Sequence, residues 1–545
     1  MRAKKLYLLL LSSFLFLQTN AQLQPDSTFG QNALVPSTFP QHSHVNKMHA
    51  LPSGDLLCFG TTSGELRVYK YDVLGNLMTS FGNNGVATNS ALDAEPGATY
   101  QVDDYAIYDN GKIIVLGLQS INNTPDTDSF INSIFLASFN ADGSINTDFN
   151  TTGHLLDRPD VNFTYEPFVL TKDERHIEIT TFYVGSKAVE YGHCNCPVGF
   201  GQWAVSKYKA DGSKDLSFNG TGFVQGTTTD IEQGAFQSPY AGIRDMALMP
   251  NGSLRVIGAF HNLDRRFFDM AIKPDGQWDN SFNGNGRSTT AVNFDVWHFK
   301  GSGAKIFDDR TVLYCSSIAR APNYDSSDVY MVKHDAYGNQ MTNFGTAGVA
   351  SYDFPYWGYG NSRIMFKSDG SHLVFYYKAY GSPVQKIEFV HVDKMGNVDQ
   401  TFGTNGLLAT EPIIPDPYLG IATVKEGIWD HTETKIFLST SRQPPNMNGN
   451  FALFKYEWPG LTPLTLSENS QGDLSVYPNP IHAGQKLQLD GVDAKTLNFY
   501  NMAGSKITIA VENNTVFIPS SLASGLYIIT AEADAKIFTG KVMVN

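Results

Sequence analysis

The sequence predicts an all-β protein, a seven-bladed β-propeller followed by a small C-terminal β-sandwich. Three observations carry that prediction. An eleven-residue motif recurs without insertions, two strand-like segments recur between its copies, and the composition favours strands and turns. Only 17% of the 545 residues are charged, while Tyr, Phe and Gly are plentiful.

Residues 1–21 read as a secretory signal peptide. Arg2, Lys4 and Lys5 precede an almost wholly apolar run from Leu6 to Leu17, and Thr19 and Ala21 supply small residues before Gln22. An uncleaved membrane anchor is the competing reading. The run is about a dozen residues long, whereas a spanning helix needs roughly 20. No later segment reaches that length, so no transmembrane segment is expected.

The repeat domain is expected over residues 22–460. The motif copies are GNLMTSFGNNG (75–85), GSINTDFNTTG (143–153), GSKDLSFNGTG (212–222), GQWDNSFNGNG (276–286), GNQMTNFGTAG (338–348) and GNVDQTFGTNG (396–406), with a degenerate QPDSTFGQNA at 24–33. Their Phe residues fall at 29, 81, 149, 218, 282, 344 and 402, at intervals of 52 to 69 residues. Periods of that order indicate a propeller or another repeat array. Each motif is preceded by a strand such as ELRVYKYDVLG or QWAVSKYKADG. An apolar hairpin such as YAIYDNGKIIVLG or DMALMPNGSLRVIG also recurs, often turning at Asn-Gly, Asp-Gly or Ser-Gly. Seven units of about four strands is propeller arithmetic. The chain starts with a motif copy and ends the domain, at Phe451 to Gly460, with the strand that should precede one. A blade shared by both ends is therefore available, and closure protects edges that an open solenoid, the rival architecture, exposes.

Within the motif the first Gly suits a turn of positive φ. Three positions before the Phe stand Asp26, Asn146, Asp215, Asp279 and Asp399, with Met78 and Met341 in two copies. An Asp or Asn there is expected to close an Asx-turn. The Phe is the expected core plug, burying roughly 150–250 Å². Calcium is the alternative use of such loops. They lack the alternating acids that a calcium loop needs, and Met offers no oxygen ligand.

Cys58 and Cys315 lie in apolar strands and read as small buried hydrophobes. Cys194 and Cys196, in HCNCPVG, are open to three readings: a tight local disulfide, free thiols, or metal ligands with His193. A zinc site wants about four ligands, and no second pair is present. The net charge is −14; with three of the 39 basic residues in the leader, 36 remain against 53 acids, or −17. That balance argues against nucleic acid and anionic lipid as partners.

Residues 461–471 read as a linker, and 472–545 as short strands with Pro and Gly turns, enough for a sandwich. No nucleophile elbow, HExxH, phosphate loop or dinucleotide fingerprint occurs. No catalytic, cofactor-binding or metal-ligating residue is assigned. HNLDRR (261–266) and KDERH (172–176) read as solvated loop faces, and DFPYWGYGN (353–361) offers Tyr356, Trp357 and Tyr359 either for stacking on a sugar or for packing.

The G-x-x-D-x-[ST]-F-[GN]-x-x-G pattern resembles the delta-sixty (delta-60) repeat of bacterial secreted proteins, over roughly residues 24–460. The resemblance implies a propeller-like fold and no common activity. Asn150, Asn219 and Asn283 replace the Gly after Phe, a mild departure because Asn also tolerates left-handed turns. The tail resembles the type A C-terminal sorting domain of the type IX secretion system of Bacteroidetes. The match rests on Tyr477-Pro-Asn-Pro480, the Tyr500-to-Gly504 turn, Gly525-Leu-Tyr527 and the Lys541–Val544 strand. That resemblance implies export across the outer membrane, removal of the tail by a sortase-like enzyme, and release or attachment at the cell surface. An ordinary adhesive sandwich is the alternative. The function expected is a secreted or surface-bound, noncatalytic, monomeric propeller that binds a protein or glycan through blade loops. A hydrolase acting on carbohydrate or peptide in the central pocket is the alternative.

Overall fold

The computed structural model describes residues 23–458 and 472–545, apart from 40–41, 94–96, 123–129, 160–162, 171–180, 191–201, 232–239, 262–265, 292–295, 321–326, 355–362, 379–385, 411–420, 443–449, 491–495, 501–505, 512–513, 520–521, 523 and 534–535. HCNCPVG, KDERH, Tyr356, Trp357 and Tyr359 lie outside the described residues, as do the leader, the linker and the Tyr500-to-Gly504 turn beyond Tyr500. The chain forms two compact units, Met1–Pro459 and Gly460–Asn545.

Unit one is all-β. Its described helix is limited to two single turns, Ser90–Asp93 and Thr228–Ile231. Sheet one is a meander of Ser43–Ala50, Leu56–Thr62, Glu65–Tyr71 and Val86–Ala87. Five more four-stranded antiparallel meanders follow in chain order, opening with Ala98–Ile107, Phe163–Leu170, Tyr240–Leu248, Val296–Ile306 and Arg363–Phe366. Sheet seven joins Ile421–Trp429, Lys435–Arg442 and Asn450–Glu457 to two strands from the N-terminus, Gln24–Pro25 and Leu34–Pro36. Both N-terminal strands run antiparallel to Asn450–Glu457, with Leu34 opposite Phe454 and Val35 opposite Leu453.

The apolar faces bury between consecutive sheets. Phe59 and Val68 of sheet one meet Val102, Val115 and Phe135 of sheet two. Tyr183 and Val205 of sheet three meet Ile243, Val256 and Phe268 of sheet four. Phe437, Phe451 and Leu453 of sheet seven pack with Phe29 against Val45, Cys58 and Tyr69 of sheet one. The first strand of each sheet also packs on the next sheet, and Ile421–Trp429 packs on Ser43–Ala50. Cys58 and Cys315 are buried free thiols, as expected, and burial pushes the Cys315 thiol up to about 12.

The motif explains how neighbours are held. Each motif Phe is buried, from 0% exposed at Phe29, Phe149 and Phe218 to 5% at Phe282. The ring of one copy lies under the first Gly of the next: a Cβ on Gly143 would stand 3.0 Å from the Phe81 ring, and one on Gly212 2.9 Å from Phe149. Only Gly permits that approach, and its φ is +81° and +83° at these two positions. The N–H following the Phe then donates across to the next repeat: Gly30 to Leu74 O, Gly82 to Asp142 O, Asn150 to Asp211 O, Asn219 to Asp275 O and Gly345 to Met395 O, at 2.6–2.9 Å. Asp26, Asp215, Asp279 and Asp399 close the expected Asx-turns, each accepting the N–H two residues on at 3.0–3.1 Å. Asn146 differs: an amide carries donors that a carboxylate lacks, and its Nδ2 donates to Ser138 Oγ at 3.0 Å.

Unit two stacks a five-stranded sheet on a three-stranded one around Leu487, Leu497, Phe499, Val516, Ile529 and Val542. The Pro-Asn-Pro segment clamps the C-terminal strand Lys536–Val544. Asn479 Nδ2 donates to Lys541 O at 2.8 Å and its Oδ1 accepts from Met543 N at 3.0 Å, while Ile481 N donates to Met543 O.

Candidate functional site

The first strands of unit one share a local irregularity. Register slips by one residue between Val45 and Lys47, Val102 and Asp104, Pro167 and Val169, Ile243 and Asp245, Gly301 and Gly303, and Val424 and Glu426. A β-bulge leaves one residue outside the ladder and re-aims the side chains around it. Four of these bulges carry charge: Lys47, Asp103 and Asp104, Arg244 and Asp245, and Lys425 and Glu426. In sheet six Arg363 pairs with Phe375 as Lys47 pairs with Phe59, so it stands at the same height.

Contacts join this belt across sheets. Lys47 Nζ of sheet one lies 3.6 Å from Glu426 Oε2 of sheet seven. Arg363 Nε of sheet six donates to Lys425 O of sheet seven at 3.3 Å. Arg244 of sheet four feels the charge of Arg363, two sheets away, and burial followed by that repulsion brings its guanidinium down to about 10. Burial and Arg363 likewise lower Lys425; burial, Lys425 and His42 lower His44. Arg244, Arg363, Lys425 and His44 are all half-buried, so protein crowds them while solvent still reaches them.

The belt's carboxylates are occupied. Asp245 accepts from the N–H groups of Met246 at 2.9 Å and Ile306 at 2.8 Å, Asp103 accepts from Gln101 Nε2 at 2.9 Å, and Glu426 faces Lys47. Chemically, the belt mixes cationic and acidic side chains carried on strands of several sheets. Among the described residues no group of three or more His, Cys, Asp or Glu is placed to hold a metal ion.

Sequence reasoning missed this belt. Its members look like ordinary polar positions of half-buried strands, and only the shared bulge height brings them together. The signal available was a charged residue recurring seven positions before the hairpin turn glycine: Lys47 before Gly54, Asp104 before Gly111, Asp245 before Gly252 and Arg363 before Gly370.

Residues 475–545 match the family described as the secretion system C-terminal sorting domain. The protein is therefore exported by the type IX route and is secreted or held at the cell surface. Among the described residues no helix is long and apolar enough to cross a membrane. The chain is also similar to ulvan lyase NLR42 of Nonlabens ulvanivorans, at 23% identity over 281 residues, which is 47% of this chain and 48% of that protein. It thus spans about half the length of that relative. Among solved structures, a protein of unknown function from Dyadobacter fermentans overlaps with a TM-score of 0.38 at 12% identity, covering 67% of this chain and 100% of that one. Prolyl oligopeptidase B of Galerina marginata overlaps with a TM-score of 0.40 at 12% identity, covering 92% of this chain and 62% of that one. Overlaps of this size carry no inference about fold or activity.

Proposed function

We propose that residues 22–460 form a closed seven-bladed propeller of delta-sixty repeats that binds a protein or glycan without catalysis, as a monomer outside the cell. Closure is supported by the N-terminal strands that complete sheet seven and by the packing of sheet seven on sheet one. Residues 1–21 are then a cleaved signal, 461–471 a linker, and 472–545 the sorting sandwich of a Bacteroidetes-type export route, removed by a sortase-like enzyme.

The observation that carries the binding reading is the belt of charged side chains at one height on the first strands. In a closed ring those strands line the axis, and the belt becomes a recessed recognition surface. A carbohydrate-acting enzyme is the second reading, favoured by the likeness to a protein named as an ulvan lyase. A glycan array and a pull-down with the exported protein test the first reading; no captured glycan or protein would refute it. Release of reducing ends from any of a panel of polysaccharides, ulvan included, would replace it with the second.

A further inference from the structure

We propose that His372 makes the seam between sheets five and six acid-labile, so that this boundary loosens as the surroundings of the exported protein turn acid. His372 opens the second strand of sheet six, His372–Lys378, and pairs with Phe366 on one side and Val392 on the other. Alternation along the strand puts it on the face of Val374, which packs with Val392 against Leu313 and Cys315 of sheet five. At the corresponding place, two positions after the hairpin turn residue, stand Leu56 after Gly54, Ile113 after Gly111, Leu254 after Gly252 and Val312 after Arg310. A titratable ring thus occupies a site that these other sheets fill with a buried aliphatic side chain.

The site gives a charged ring little support. His372 has no exposed surface, and neither ring nitrogen meets a partner at hydrogen-bond geometry. Two nearby histidines differ. His391 Nδ1 lies 3.0 Å from Asp399 Oδ2, and His334 has Thr290 Oγ1 2.8 Å from Nε2 and Asp269 Oδ2 3.7 Å from Nδ1. Sheet five sends Lys333 towards the turn before His372: a Cβ on Gly370 would stand 4.0 Å from Lys333 Nζ. Lys333 and His391 oppose a charge on His372, while Asp393 and the backbone of Gly370 favour one. Asp369, on the same hairpin, accepts from Ser371 N at 2.8 Å and Ser371 Oγ at 2.6 Å. Burial is the largest influence and brings the imidazole down to about 3 from an ordinary value near 6.5. The folded state therefore keeps the ring neutral where the unfolded chain takes up a proton. The stability this ring contributes is complete above about pH 6.5 and is lost as pH falls towards 3. Most of that loss precedes the protonation of ordinary carboxylates, near pH 4.

Two buried thiols give a local readout. Cys315 lies in this seam, and Cys58 lies in the one between sheets seven and one. The test is labelling of the full chain with 4,4′-dithiodipyridine, which reacts with thiols in acid, at pH 6.5 and pH 4.5, with the modified cysteines identified by peptide mass. The labelling rate of Cys315 relative to Cys58 is expected to rise about tenfold or more between those pH values, since one proton taken up on opening is worth up to about tenfold per pH unit. His372→Leu, which restores the aliphatic residue of the other sheets, should keep the ratio flat, and the exposed His42→Asn should leave the rise unchanged. If His372→Leu lowers the melting temperature at pH 7, His372→Val, the residue of sheet five, is read in its place. A ratio that stays flat in the natural chain overturns the acid-labile seam. A rise that survives the loss of the imidazole overturns the role of His372.

Discussion

Phe149 has no exposed surface, stacks on Phe182 at 6.4 Å and fills the space beneath Gly212. Phe149→Ala should cost about 3–5 kcal/mol, since it leaves a cavity between two sheets; urea denaturation measures it, and a loss below about 1 kcal/mol would show that the ring is no plug. The neighbouring Asn150 was expected only to tolerate a left-handed turn, and its φ is +48°. It does more: Nδ2 donates to His154 O at 2.7 Å, and Asn219 and Asn283 repeat that bond to Phe223 O and Arg287 O. Asn150→Gly should therefore cost about 1 kcal/mol for the lost bond, and Asn150→Val more, because a β-branched residue strains the same backbone. The Asx carboxylates also set the acid limit. Lys207 and Ser217 hold Asp215 down to about 2, and Ser253 and Ser281 do the same for Asp279, from an ordinary value near 3.8. A folded-state value below the unfolded one contributes stability that is complete above about pH 4 and is lost as pH falls towards 2. Thermal melts should decline across that window, and a D215N/D279N variant should decline less steeply; an unchanged slope would assign acid sensitivity elsewhere.

At the scale of the element, strands, hairpin turns and buried Phe positions were legible because one motif was written seven times. Repetition exposed what a single copy hides: glycines at fixed offsets and an apolar position that never varies. The bond from the residue after Phe to the next repeat was not legible, since backbone groups leave no trace in sequence. Nor was compensation where Met78 displaces the Asx residue, leaving Lys70 to reach Asp55 at 3.9 Å, whereas Lys207 meets Asp215 at 2.8 Å. The bulges were hidden for a related reason, because alternation of apolar and polar residues continues on either side of them. In the tail the Pro-Asn-Pro signature was legible as a motif, and its physical task is the clamp that Asn479 places on the last strand. Asn479→Ala removes two hydrogen bonds and should cost about 1–3 kcal/mol. Limited proteolysis should then cut the C-terminal strand sooner, and an unchanged digestion rate would argue against the clamp.

At the scale of the whole molecule, two sets of residues far apart in sequence have to meet. Asp26 lies 3.1 Å from Lys455 Nζ and 3.3 Å from Lys435 Nζ, and Phe29 meets Phe437 edge-on at 5.8 Å. Those contacts tie the start of the repeat domain to its end. The address is separable from the sheets of unit one: deleting 472–545 should leave the protein inside the cell, and its normal appearance outside, read by fractionation, would refute the sorting role. Closure itself is tested most directly by a crystal structure of the exported protein. The account predicts Leu34 paired with Phe454 in sheet seven, Lys47 in contact with Glu426 and seven sheets around one axis. A path in which sheets one and seven lie apart, with the N-terminal strands unpaired or paired elsewhere, would contradict it.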